Sequence, residues 1–486
     1  MDFYSNPLML ILIVGAAILL ALVVVILVRT VAFRPRVGAI SLAKDTDFDG
    51  ERAVENLRAL VRFPTVSYRD SAKEDNAAFA GLIAALPTLY PRVFDACEYT
   101  ALADRALLFR WRGKSADAPS VMMAHYDVVP VDEGGWEKPP FDAILEDGVL
   151  WGRGTLDTKV TFNAILSAVE TLIARGFTPE NDVYLAFSGG EEVNGRGAPN
   201  IVAYFKEHGI TPALVVDEGG AVVENVFPGV TAPCGMIGIA EKGMVDVLYR
   251  TRSAGGHASA PKPHTPVGVL SAACTKVENA PFPMHLSAPV AAMFDTLGRH
   301  STFLYRMIFA NLWLFRPVLD GICKRSGGEL NALLRTTVAF TQMAGSTASN
   351  VIPPEATMVS NIRLNPADTV ESALARLRKT VGDDSVEISA VYGMDPSRIS
   401  AINCPAWDKV AGAVASTWQG CIVTPYLMVQ CSDSRHYGEI SDKVYRFSAM
   451  DLTAAERATI HGHNERIRVT TVKDAVSFYL ALIKQC

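Results

Sequence analysis

Three times in the first half of the chain, a short apolar run bounded by turn residues stops abruptly at polar side chains with glycines close by. Ser120 to Val129 is such a run, and it ends around His125 and Asp127. Asp182 to Phe187 runs into the Glu191-Glu192 doublet of SGGEEVNGRG, and Ala213 to Val216 runs into Asp217 of VVDEGG. Continuous apolar runs of this length between turns read as strands buried on both faces. Between them lie helical patterns. Phe162, Ile165, Leu166, Val169, Leu172 and Ile173 share one face of a helix over residues 158–175, and Ile201 to His208 is helical. Strand, helix, strand, helix, strand predicts an α/β domain with a mostly parallel central sheet flanked by helices. Open sheets of that kind bind ligands beyond the carboxyl ends of their strands, where these acidic residues fall.

The pattern changes near Gly235. Val245, Val247 and Tyr249 alternate as in a half-exposed strand, and a Gly/Pro-rich loop, AGGHASAPKPHTP, precedes a helix from about Val267. Alternation returns in Thr336–Thr341 and Met358–Leu364, and a helix spans Val370 to Val381. This predicts a small α+β unit, residues 236–398, inserted between two parts of the larger domain, 44–235 and 399–486. Phe303, Leu304, Met307, Ile308, Leu312 and Leu314 mark a helix pair within 285–330.

The N-terminus differs in composition. Leu8 to Val28 is an apolar run of 21 residues with no charge. As a helix it would extend roughly 32 Å, enough to cross a bilayer core. A cleaved signal peptide is the alternative, but no Lys or Arg precedes the run and no clear small-x-small site follows it. The expectation is a single-pass anchor, followed by a polar linker near Ala39–Asp49. Arg29, Arg34 and Arg36 flank its C-terminal side, which by the positive-inside rule places the rest of the chain in the cytoplasm.

The 486 residues exceed one ordinary core. A net charge of −6 and the lack of basic runs with interleaved aromatics argue against nucleic acid as a partner. Eight cysteines form no C-x-x-C pair and no dense framework, so neither a zinc ribbon nor a disulfide-stapled module is expected.

The polar groups at the strand ends, with Asp157 of GRGTLDTK and His461 of IHGHNERI, make a ligand set for two metal ions sharing one carboxylate. Carboxylates and imidazoles without thiolates suit zinc, cobalt or manganese. In an extended H-x-D, both side chains lie on one side of the strand, so Asp127 is cast as the carboxylate that orients the ring of His125. Of the adjacent Glu191 and Glu192, one can bind metal while the other holds a water. Two such ions would lie roughly 3.5–4 Å apart and polarise a nucleophile and a carbonyl together.

The segments AHYDVVP, GRGTLDTK, SGGEEVNGRG, VVDEGG, AGGHAS, SNVIPPEA and IHGHNERI together resemble the dizinc peptidase superfamily. It contains aminoacylase, carboxypeptidase S and the acetylornithine and succinyl-diaminopimelate deacylases. VVDEGG and the long inserted region most resemble the carboxypeptidase S branch, which includes N-fatty-acyl-amino acid synthase/hydrolase. The similarity covers roughly residues 50–486. The resemblance implies His125, Asp157 and Asp217 on one zinc ion, and Asp157, Glu192 and His461 on the other. Glu191 would be the general base that carries a proton from the attacking water to the leaving amine. His461 is preferred to His463 because H-x-x-N-E is matched by His461, Asn464 and Glu465. His257 would serve the oxyanion, often across a dimer interface made by a ferredoxin-like inserted lid domain. Asn350 and Arg435 lie where relatives place substrate-binding groups, and Arg can clamp a carboxylate bidentately. Two departures bear on specificity: Cys431-Ser432-Asp433 stands where Gly-Thr-Asp is common, and Thr155-Leu156 precedes Asp157 where a small residue is usual.

The expected activity is hydrolysis of a peptide or N-acyl amino acid with a free C-terminal carboxylate. A small-metabolite deacetylase and a catalytically silent membrane-anchored binding protein are the alternatives. A serine hydrolase is excluded by the lack of G-x-S-x-G.

Overall fold

The computed structural model describes residues 7–36, 38 and 43–486. The expected linker near Ala39–Asp49 falls partly outside them.

Eight strands form the large sheet, in the order Glu98–Leu102, Ala106–Trp111, Asn181–Ser188, Ser115–His125, Leu214–Val223, Val444–Leu452, Cys234–Glu241 and Ile422–Met428. The middle four are parallel. Glu98–Leu102 and Ala106–Trp111 form an antiparallel hairpin at one edge. At the other, Cys234–Glu241 runs antiparallel to Val444–Leu452 and Leu214–Val223 but parallel to the edge strand Ile422–Met428. The sheet is therefore mixed, with four parallel strands at its centre and a parallel pair at one edge. Lys159–Ala174 covers one face and is buried over most of its length, packed against the C-terminal helix Val469–Ile483.

The second sheet has four antiparallel strands, in the order Thr337–Ala344, Glu355–Leu364, Gly243–Arg252 and Val386–Met394. With the helices Pro266–Glu278 and Val370–Val381 it has βαββαβ topology, the ferredoxin-like pattern, and its own apolar core around Val245, Tyr249, Leu270 and Leu377. Cys234–Glu241 pairs within the large sheet, so the inserted unit starts at Gly243 and not at residue 236.

Residues 285–330 are not one helix pair. They form Ala288–His300, Phe303–Ala310 and Leu312–Ser326, with Gly328–Leu334 completing the group. Met293, Leu297, Phe309 and Leu333 belong to the apolar core of the large domain. Phe309 packs on Phe227, with ring centroids 4.6 Å apart, and on Phe294 at 5.3 Å. These helices thus extend the large domain's core.

Pro7–Ala32 is a single helix, and its Met9–Ala32 stretch is long and apolar enough to cross a membrane, a property it shares with signal sequences. All eight cysteines are free.

Candidate active site

The site is built at the carboxyl ends of the parallel strands. His125 is the last residue of its strand and is buried. Its Nδ1 lies 3.0 Å from the Asp127 carbonyl and 3.4 Å from the Asp127 carboxylate. That carboxylate is fully buried and also accepts from the backbone N–H groups of Glu191 (3.1 Å) and Glu192 (3.2 Å). One aspartate therefore orients the imidazole and fixes the loop carrying both glutamates.

On its other side, His125 Nε2 lies 3.0 Å from Asp157 Oδ1 and 3.3 Å from Glu218 Oε1. His461 Nε2 lies 3.1 Å from Asp157 Oδ2 and 3.1 Å from Glu192 Oε2. Asp157 thus sits between the two imidazoles, one oxygen to each. Its loop is held by Glu465, which accepts from the N–H groups of Leu156 (2.7 Å) and Asp157 (3.3 Å) and from Arg153 Nη1 (2.6 Å).

Asp217 is absent from the groups whose ligand atoms converge at His125. Its strand continues through Val223, with a bulge between Asp217 and Gly220. The Asp217 carboxylate accepts from the Ser434 N–H at 2.9 Å, and Glu218 turns towards His125. Gly220 allows this course, since a Cβ there would lie 1.7 Å from the Met236 carbonyl oxygen. Glu218 is the site residue absent from the expected set. The signal for it was the Ala221-Val222-Val223 run beyond the glycines, which shows that the strand does not stop at Asp217. Asp433 was also not expected. It is buried, accepts from the Ser188 hydroxyl, and acts electrostatically on Glu191.

The donors fit divalent cations. His125, Asp157 and Glu192 bring one ligand atom each within 4.8 Å of one another, as do His125, Glu191 and Glu218. Glu192 Oε1 is buried with no hydrogen-bond partner. Burial, reinforced by neighbouring carboxylates, pushes Glu192 up to about 7 and Glu218 up to about 8, and raises Glu191 well above the usual range. The two imidazoles move up too. Hydrogen bonds to Asp157 and Glu192 take His461 to about 10, and surrounding carboxylates raise His125 despite its burial. Asp157, flanked by both rings, is lowered against the effect of its burial. So many acids sharing one dry site need positive charge, which bound cations supply while leaving the rings neutral.

Arg435 Nη2 donates to the Asp395 carbonyl (2.8 Å), and Nη1 is buried with no hydrogen-bond partner, 3.8 Å from Glu241. Glu241 is held by Ser432, Ser434 and Arg446. His257 and Asn350 are exposed on the inserted unit, beside each other. The Gly256–His257 strand pairs with Val351–Ile352, and the Ala258 N–H donates to the Asn350 carbonyl (2.9 Å). Neither lines the cavity at the cluster.

That cavity is about 470 Å³, within the roughly 300–1,000 Å³ typical of small-molecule sites. Asp157, Glu191, Glu192, Glu218 and His461 line it, together with Phe227, Met236, Met293, Leu297, Leu333 and Met450. Glu329 and Arg457 also belong to the lining.

A two-part α/β chain with an inserted βαββαβ unit, and a buried His/carboxylate cluster at the sheet edge, defines an amide-cleaving metallohydrolase. The chain belongs to Peptidase family M20/M25/M40, whose profile matches residues 121–485. It is similar to the probable carboxypeptidase S-like 2 of Dictyostelium discoideum, at 31% identity over 96% of this chain and 92% of that one. It is also similar to the N-fatty-acyl-amino acid synthase/hydrolase PM20D1 of Xenopus tropicalis, at 33% identity over 96% and 93%. Among solved structures it resembles the M20 family metallo-carboxypeptidase Sso-CP2 from Sulfolobus solfataricus, with a TM-score of 0.63 at 18% identity, covering 89% of this chain and 98% of that one.

Proposed function

We infer that the protein hydrolyses the amide bond of N-acyl amino acids carrying a long apolar acyl group, and that its N-terminal helix anchors it to a membrane. The observation that carries this reading is the cavity, whose lining brings the charged cluster together with Phe, Met and Leu side chains. The PM20D1 relative, an N-fatty-acyl-amino acid synthase/hydrolase, points to the same substrate class.

Two divalent ions, zinc by preference, would be held by His125, Asp157 and Glu218 and by Asp157, Glu192 and His461, with Asp157 shared. When bound, they supply Lewis acidity to the scissile carbonyl and lower the pKa of water. The chain's own groups do the rest. Glu191 takes a proton from the attacking water and returns it to the departing nitrogen. Asp127 holds the ring of His125 and the backbone of Glu191 in register. The reading gives the substrate's carboxylate to Arg435, whose Nη1 has no hydrogen-bond partner and lies 3.8 Å from Glu241. The methionines and leucines exclude water from the acyl chain.

His257 and Asn350 lie away from the cavity of their own chain, and the reading gives them to the site of a second copy, bound through the inserted unit. There the His257 imidazole would stabilise the oxyanion.

The test compares N-acetyl, N-oleoyl and dipeptide substrates by kcat/KM. The reading expects N-oleoyl amino acids to be strongly favoured. A preference for dipeptides would replace it with a carboxypeptidase, and a preference for N-acetyl substrates with a deacetylase.

A further inference from the structure

The helices Phe303–Ala310 and Leu312–Ser326 have an inner face in the core and an outer face that nothing among the described residues covers. Phe303, Leu304, Trp313, Val318 and Ile322 are each more than half exposed, with Trp313 at 56%. Monomeric soluble proteins seldom leave clustered large apolar side chains in water without an interaction to account for them.

The position of this face relative to the N-terminal helix identifies its occupant. Arg29 Nη2 donates to the Ala310 carbonyl (3.0 Å), and Asn311 Nδ2 donates to the Ile26 carbonyl and the Thr30 hydroxyl, each at 3.4 Å. Thr30 is fully buried there, whereas Val23, Val24, Val25, Leu27 and Val28 are exposed. Leu22, Ile26 and Thr30, at i, i+4 and i+8, form the one partly covered stripe of this part of the helix. Arg299 adds a hydrogen bond to the Arg34 carbonyl (3.0 Å) and stacks over the Phe33 ring. The turn between the two outer helices therefore sits level with the last turn of the apolar segment. If that segment crosses a bilayer, Phe303–Ser326 stands at the boundary between acyl chains and headgroups. Basic residues surround the patch: Arg34, Arg316 and Arg325 are exposed. Apolar side chains rimmed by cations are what an interfacial helix needs.

We propose that the outer face of Phe303–Ala310 and Leu312–Ser326 is a bilayer-docking surface, seated in the lipid interface beside the N-terminal helix. It rests on the insertion of that helix and is independent of the acyl-group reading. Phe309 on the inner side packs on Phe227, a cavity residue, so docking holds the cavity one side-chain layer from the lipid.

Of the six tryptophans, Trp313 is the exposed one. The experiment reconstitutes the full chain into phosphatidylcholine/phosphatidylglycerol vesicles, with and without brominated acyl chains, and reads tryptophan fluorescence. The expected result is quenching by brominated lipid that largely disappears in Trp313→Phe and is reduced in Leu304→Ser/Ile322→Ser, with all chains still floating with the vesicles. Equal quenching in wild type and Trp313→Phe, in chains that float, overturns the docking surface and leaves the anchor standing. Failure of the wild type to float overturns both. A concentration-dependent dimer that protects Trp313 from brominated lipid would assign the face to a second copy and also overturn the proposal.

Discussion

Glu218 Oε1 approaches His125 Nε2 at 3.3 Å, across the same imidazole edge that meets Asp157. Its neighbour Asp217 instead accepts from the Ser434 N–H. Adjacent acids are thus divided between the cluster and its supporting wall. Glu218→Gln should lower kcat/KM by at least about a hundredfold and reduce bound metal, beyond the 10–100-fold typical of groups that only orient ligands. Asp217→Asn keeps an acceptor for Ser434 and should retain full metal content. Steady-state kinetics with elemental analysis checks this, and the reverse pattern would return the ligand role to Asp217.

His257 and Glu191 are assigned to different copies in one site. Each of His257→Ala and Glu191→Gln should therefore be inactive alone, the latter by on the order of 10²–10⁴ in kcat. Mixing the two variants under conditions that exchange subunits should restore activity, because one site in each mixed pair then has both groups intact. Absence of recovery despite exchange would place both residues in one chain's function.

The apolar side chains lining the cavity should set acyl-length preference. Each buried methylene contributes about 0.8 kcal/mol, or roughly fourfold in kcat/KM per carbon. Met293→Trp shortens the cavity and should move the optimum to shorter acyl groups, leaving kcat on N-acetyl substrates unchanged. An unaltered length profile would show that the acyl chain lies elsewhere.

Lys242 is buried at the junction of the two sheets, and its Nζ donates to the carbonyls of Ala332 (2.7 Å) and Arg335 (2.8 Å). Burial, aided by Arg363, takes it down to about 7. Between pH 7 and its ordinary value of 10.5, the unfolded chain binds this proton and the folded chain does not. Stability should therefore rise with pH across that window, by at most about 1.4 kcal/mol per unit from this group. Denaturant unfolding from pH 7.5 to 9.5 should show the slope, reduced by one proton in Lys242→Met. Equal slopes would mean that Lys242 stays charged.

The chain-wide layout was legible because buried strands are continuous apolar runs and the chemistry lies where they stop. His125, Glu191 and Glu192 were found in this way, Asp157 and His461 through the motifs GRGTLDTK and IHGHNERI, and the structure brings all five together. Glu218 was missed for a local reason. An acidic pair followed by two glycines looks like a turn, whereas the strand continues through it with a bulge between Asp217 and Gly220. The helices at 288–334 were misplaced for a different reason. Apolar residues lie on both buried and exposed sides of Phe303–Ala310 and Leu312–Ser326, so periodicity alone could not say which face joins the larger core. The single partial bridge between Val444–Leu452 and Cys234–Glu241, and hence the mixed sheet, depends on contacts far apart in sequence.

The account rests on a cation-loaded cluster with Glu191 as its base, acting on a long-chain N-acyl amino acid. The most direct measurement is fatty-acid release from an N-oleoyl amino acid by the purified chain, before chelation, after chelation, and after stepwise return of zinc. The account predicts loss of turnover on chelation and recovery that saturates near two ions per chain, with no recovery in Glu191→Gln that binds the same zinc. Turnover that survives chelation, or that Glu191→Gln retains in full, would contradict it.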